Sequence, residues 1–117
     1  MIVGLVGAGN LISANGWTGV DVLGVGTNNT WVTANFIGTD VTGTQDLGNA
    51  IHGVAVFAQA DDTRIGTNSD GVNDAAEFNL ISGNDGSGVG IWDSGTDRTV
   101  VAGNLIGTAI RRLPGPM

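Results

Sequence analysis

The sequence predicts an all-β solenoid, a stack of about three to four coils with three short parallel strands in each. Three observations carry that prediction. Asn10–Thr39 and Asn79–Thr108 align at a shift of 69 without a gap and are identical at 15 of 30 positions. Gly-Val-x-Val/Ile occurs at Gly19–Val22, Gly53–Val56 and Gly88–Ile91, in steps of 34 and 35 that total 69. No window of helical length carries an amphipathic helical period, and Asp74–Phe78 has room for one turn at most.

Each element follows in order. Met1–Gly9 is apolar but short, and it lacks the basic start of a signal peptide. Ala8–Ile12 and Ala102–Ile106 both read AGNLI, so the repeat is already under way in this region. One recurring segment is Asn, a bulky apolar residue, Ile, then Ser or Gly, at Asn10–Ser13, Asn35–Gly38, Asn79–Ser82 and Asn104–Gly107. The Gly-Val triplets form a second kind, with Val20, Val22, Val54, Val56, Val89 and Ile91 as inward positions and Leu23, Phe57 and Trp92 in register to stack. A third kind is Thr30-Trp31-Val32, Thr63-Arg64-Ile65 and Thr99-Val100-Val101. All are short and rich in β-branched residues, and Gly, Asn, Asp and Thr separate them, which reads as strand, turn, strand.

The shortest common intervals between these segments are 12, 3 and 9, a coil of 24 residues. The surplus falls at Thr39–His52 and Thr67–Glu77, which read as surface loops pushed out of regular coils. Strands this short, arranged around one coil, find no partner within it. Each pairs with its counterpart above or below, at about 4.8 Å. The recurring Asn fits a sharp bend, because Asn tolerates the left-handed region and its amide can bond the next Asn in a ladder.

NLISGN (79–84), GNLIGT (103–108), ANFIGTDVTGT (34–44) and DLGNAIHGVAV (46–56) resemble the right-handed parallel β-helix repeats of large bacterial cell-surface and secreted proteins of the pectin-lyase-like superfamily. The resemblance covers about residues 5–108 and implies a single-stranded right-handed parallel β-helix. It also implies a secreted or surface-exposed parent. The family holds polysaccharide lyases and hydrolases, adhesins and tail spikes, so the resemblance bears on fold and not on activity. The expected division is a repeat domain over 1–108 and a non-repeat tail over 109–117. Where Asp and a TGT loop should follow Thr108, the chain reads AIRRLPGPM, which suggests a piece of a longer repeat protein.

Composition agrees. Glycine supplies 21 of 117 residues, as a chain that turns this often requires. There is no Cys, hence no disulfide and no thiolate metal site. No apolar run is long enough to span a membrane. The net charge of −7, with four Arg and no Lys, disfavours nucleic acid. Acidic polysaccharide would be repelled unless metal ions intervene, whereas neutral glycans fit exposed Trp and Asn/Asp faces.

Candidate chemistry is sparse. His52-Gly53, Asp61-Asp62 and Arg64-Ile65 resemble parts of the pectin hydrolase site, but the order is wrong, the first Asp motif is missing and no Lys is present. Arg64 and Arg98 read as solvated surface charges at related places in the coil. No catalytic or cofactor-binding set emerges. Asp70, Asp74 and Glu77 share one inserted loop with Asn68 and Asn73 and are candidate Ca²⁺ ligands, although the spacing is neither that of an EF-hand nor of a Gly-rich nonapeptide. A solubilising turn-rich loop accounts for the same residues, and for Asp40 and Asp46. Open coil ends recruit other chains, so the chain itself is the expected partner. Trp17 and Trp31 are candidate interface aromatics, Trp31 because it alternates with an inward Val32. Both can equally cover their own chain. The leading expectation is a non-enzymatic, self-associating structural module. The alternative is a carbohydrate-binding or carbohydrate-active β-helix.

Overall fold

The computed structural model describes residues 1–107. The expected boundary at 108 and the tail 109–117 lie outside the described residues. Among the described residues there are eleven short strands: β1 Ile2–Val3, β2 Leu11–Ile12, β3 Val20–Leu23, β4 Trp31–Val32, β5 Phe36–Ile37, β6 Val54–Phe57, β7 Arg64–Gly66, β8 Leu80–Ile81, β9 Val89–Ile91, β10 Val100–Ala102 and β11 Leu105–Ile106. One turn of 3₁₀ helix, Asp74–Ala76, is the sole helical element among the described residues.

The strands form three sheets: β1-β4-β7-β10 (sheet A), β2-β5-β8-β11 (sheet B) and β3-β6-β9 (sheet C). The chain visits A, B and C in that order three times, then A and B again. Every pairing within the three sheets is parallel. We call one passage through the sheets a circuit. The Gly-Val triplets lie in register, Val20 beside Val54 and Val54 beside Val89. The Thr-led segments do so as well, Trp31 beside Arg64 and Arg64 beside Val100. An all-β parallel stack is therefore what the repeats encode.

The core is a narrow column. Val22, Val32, Ile37, Val54, Val56, Ala60, Ile65 and Ile81 form one buried cluster, with Val3, Ile12, Val20 and Val89 packed against it. Strand alternation explains the membership, since one residue points in and the next out. Val32 is fully buried while its neighbour Trp31 is not. Outside, the predicted column of large apolar residues is present. Leu23 pairs with Phe57, and the Phe57 and Trp92 rings stack at 4.7 Å and 7°.

Two asparagine columns cross the stack. Asn35 Nδ2 donates to Asn79 Oδ1 (3.1 Å) and Asn79 Nδ2 to Asn104 Oδ1 (3.0 Å), with Asn10 donating to Asn35 at the near end. The second column runs Asn15, Asn49, Asn84, each link 2.8 Å. The bend itself is made differently from expectation. At four of the seven ladder positions the left-handed residue is the one before the Asn: Ala14, Ala34, Gly83 and Gly103 have positive φ, whereas Gly9, Gly48 and Phe78 do not, and neither do the ladder asparagines. Asn is thus used for its amide, and the preceding small residue takes the strained angle. Gly38 (φ 101°) is needed for another reason, because a Cβ there would overlap the Ser82 carbonyl of the next circuit.

The insertions are close to the predicted ones. Thr67–Glu77 leaves the stack after β7 and returns through Glu77, whose carbonyl accepts from Ala34 N and Thr33 Oγ1. The other is narrower than Thr39–His52. Thr39 bridges to Asp46, and Asn49 already sits in the second ladder. The bulge is essentially the Asp40–Gln45 turn, where Asp40 Oδ1 accepts from the N–H groups of Thr42, Thr44 and Gln45.

Position within a ladder should set its energetic weight. Asn79 is fully buried and bonds on both sides, so Asn79→Ala leaves several buried groups unpaired and should destabilise by about 3 kcal/mol. Asn10→Ala, at the exposed end, should cost below about 1 kcal/mol. Urea denaturation compares the two, and equal losses would count against the ladder as an internal support.

Candidate functional site

Sheet A carries a groove of about 450 Å³ on its outward face. Trp31, Arg64 and Val100 lie in register along its floor because each is the outward residue of its strand. The Trp31 indole is fixed by donation from Nε1 to the Gly66 carbonyl at 2.7 Å. Arg64 Nη1 donates to Thr67 O at 3.2 Å. One wall is an ion pair. Arg98 Nε donates to Asp62 Oδ1 at 2.7 Å and Nη2 to Asp62 Oδ2 at 3.1 Å, with Asp61 Oδ2 at 3.8 Å from Nη2. Hydrogen bonding to Arg98 holds the Asp62 carboxyl below its ordinary 3.8, and the same bond to Asp62 raises the Arg98 guanidinium.

The expectation that Arg64 and Arg98 occupy related places is corrected here. Arg64 belongs to β7, whereas Arg98 precedes β10 by two residues and faces Asp62. Its charge is paired on the surface. Asn29 and Asn68 add amides at the groove margins, so the site offers an aromatic face, two guanidinium groups and hydrogen-bonding side chains. That set suits polyhydroxylated ligands.

The insertion after β7 brings the three predicted carboxylates together. Asp70, Asp74 and Glu77 each offer an oxygen, all within 4.8 Å of one another. The loop supplies its own donors to them. Glu77 Oε1 accepts from Thr67 Oγ1 (2.8 Å) and Asn68 N (3.2 Å). Asp74 Oδ2 accepts from Gly71 N, and Asp70 Oδ1 from Val72 N. Glu77 is buried, Asp74 half-buried and Asp70 exposed.

His52 lies just before β6, as a bend residue should. Its Nδ1 accepts from Ser87 N at 2.9 Å, and its ring meets Trp92 edge-on at 5.5 Å. His52 therefore joins adjacent circuits, and Asp62 is engaged by Arg98. Trp17 projects from the turn before β3 and is two-thirds exposed, 66%.

The chain matches no protein-family model, no curated protein and no solved structure. Among the described residues, no helix is long and apolar enough to cross a membrane.

Sequence reasoning missed the Asp62–Arg98 pair and the second asparagine column. The column had a signal: Asn15 and Asn84 coincide in the 69-residue alignment, and NLISAN, DLGNAI and NLISGN each carry the residue. The ion pair had one too: Thr63-Arg64-Ile65 and Thr99-Val100-Val101 match at a shift of 36, which sets the residue before each, Asp62 and Arg98, side by side.

Acid should expose the pair. The folded Asp62 pKa lies below its unfolded value near 3.8, so the pair's stabilisation is complete above that pH and fades as pH falls through the lower folded value. Wild type should exceed Arg98→Ala in melting temperature at pH 5, with the two converging by about pH 2. A gap unchanged across that range would mean that the ion pair contributes nothing.

Proposed function

We propose that the three sheets close into a right-handed parallel β-helix, and that the chain is a structural module completed by further circuits of the same kind, supplied by a second copy of itself. One observation carries this reading. Ile65 and Ile81 are fully buried, yet their counterparts in the last described circuit, Val101 and Ile106, are each 39% exposed. The side chains are of the same kind and lie in the same columns; among the described residues, no layer lies above Val101 and Ile106. Covering them adds roughly 1 kcal/mol each in apolar burial, and pairing the open strand edges adds hydrogen bonds. Val3 and Ile12 at the opposite edge are half-buried for the same reason. Exposed Trp17 offers a lateral contact besides.

Light scattering on a size-exclusion eluate tests the proposal. A mass above that of one chain, rising with protein concentration in the micromolar range, is expected. A monomer throughout would overturn it.

A second reading is favoured by the groove on sheet A. Trp31 with Arg64, Asn29 and Asn68 is suited to a neutral oligosaccharide, with Ca²⁺ on Asp70, Asp74 and Glu77 ordering the adjacent loop. Titration of tryptophan fluorescence with neutral oligosaccharides, with and without millimolar CaCl₂, should show saturable quenching that Trp31→Ala abolishes. CaCl₂ alone should raise the melting temperature. A flat titration together with an unmoved melting temperature removes this reading and leaves the first untouched.

A further inference from the structure

The asparagine columns have a direction. In the first, the backbone N–H and Nδ2 of Asn10 both donate to Asn35 Oδ1, those of Asn35 to Asn79 Oδ1, and those of Asn79 to Asn104 Oδ1. In the second, Asn15 donates in the same way to Asn49, and Asn49 to Asn84. The sense is no accident of which amide atom is labelled nitrogen. A backbone N–H can only donate, so the side-chain atom that meets it must be oxygen. The other Nδ2 hydrogen of Asn35, Asn79 and Asn104 turns back to the preceding circuit, to the carbonyls of Val3, Val32 and Ile65. Both columns therefore donate towards the last circuit.

The two edges of the stack are consequently unlike. At the first circuit, Asn10 Oδ1 and Asn15 Oδ1 are acceptors with no donor among the described residues. At the last, Asn104 presents its N–H and one Nδ2 hydrogen, with no acceptor among the described residues. Strand edges alone would allow either orientation, because each edge carries both N–H and C=O groups. The ladder does not. A two-fold joint through the last circuits sets Asn104 donors against Asn104 donors, and one through the first circuits sets acceptors against acceptors.

We infer that a second copy of this chain docks head-to-tail, with β10 and β11 of one copy on β1 and β2 of the next, and Asn104 donating to Asn10. This rests on the end-circuit association proposed above and adds its polarity. In sheets A and B the apolar columns continue across the joint, Val101 onto Val3 and Ile106 onto Ile12. Such a contact is heterologous and leaves an open edge at each end of every assembly, so growth is serial and not limited to a dimer.

Blocking one edge at a time tests the polarity. The carbonyls of Asn10 and Ile12 accept from Phe36 N and Gly38 N, so strand alternation turns the Leu11 N–H to the open side. Leu105 N and Gly107 N donate to Asn79 O and Ile81 O, which turns the Ile106 N–H to the opposite open side. Leu11→Pro closes the first edge and Ile106→Pro the last, each removing a donor that the monomer does not use. Each variant alone should be monomeric by light scattering, and an equimolar mixture should form a one-to-one heterodimer and stop there. A single variant that dimerises alone, or a mixture that stays monomeric, overturns the polarity. Wild-type chain that is itself monomeric overturns the end-circuit association instead, so the two failures are distinguishable. Circular dichroism checks that the variants keep the wild-type spectrum. Should a proline variant lose it, Asn10→Ala paired with Asn104→Asp decides by the same mixing. Asn104→Asp keeps the oxygen that Asn79 uses and turns the outward side-chain donor into an acceptor, while giving up the Nδ2 bond to the Ile65 carbonyl, so its spectrum is checked in the same way.

Discussion

Strands of two to four residues cannot stabilise themselves, and that constraint organises this molecule. A strand of two residues offers so few backbone groups that its partners must lie above and below it. Parallel pairing between successive circuits is the solution, and the other features serve it. The inward aliphatics keep the circuits in register, the small left-handed residues turn the chain between sheets, and the asparagine amides bridge the circuits at the bends. A buried bend would otherwise strand its N–H groups, and the ladder satisfies them with side-chain oxygens.

The repeat was legible because register is conserved over two circuits. Successive steps between paired strands are 25, 44 and 25 in sheet B, 34 and 35 in sheet C, and 33 and 36 in sheet A from β4 onward, so two consecutive steps total 69; the first step of sheet A, from β1 to β4, is 29. The gap-free alignment therefore matches alternate circuits. One insertion lies in the second circuit, after β5, and the other in the third, after β7, which is why neighbouring circuits align less cleanly in sequence. The Gly-Val triplets, the inward residues and the Leu23–Phe57–Trp92 column could all be placed from such spacing.

Other features were not legible, for physical reasons. The Asn motif suggested the bend residue, but Ala34 and Gly103 take the positive φ and the asparagine next to them does not. Composition assigns Asn to both tasks and cannot separate them. The grouping of Asp70, Asp74 and Glu77 could be proposed because they share one loop. Asp62 and Arg98 lie in adjacent circuits, each just before an aligned Thr, so their register was legible, but a pattern of apolar residues does not mark a charge pair on the outer face. The loop from Thr39 is shorter than the apolar spacing implies because Asn49 belongs to a ladder that this spacing does not mark.

Both bulges leave and rejoin the stack at fixed points. Leu47 N bonds Gly38 O at the close of one, and Ala34 N bonds Glu77 O at the close of the other. Between such anchors, added chain length carries only a closure entropy that grows by about 0.6 kcal/mol per doubling. Axial height and contour length are thereby uncoupled: a peptide grafted between Asp40 and Gln45 would lengthen one circuit without altering the spacing of its neighbours. The fold thus provides a display platform in which cargo can vary while the supporting column remains unchanged.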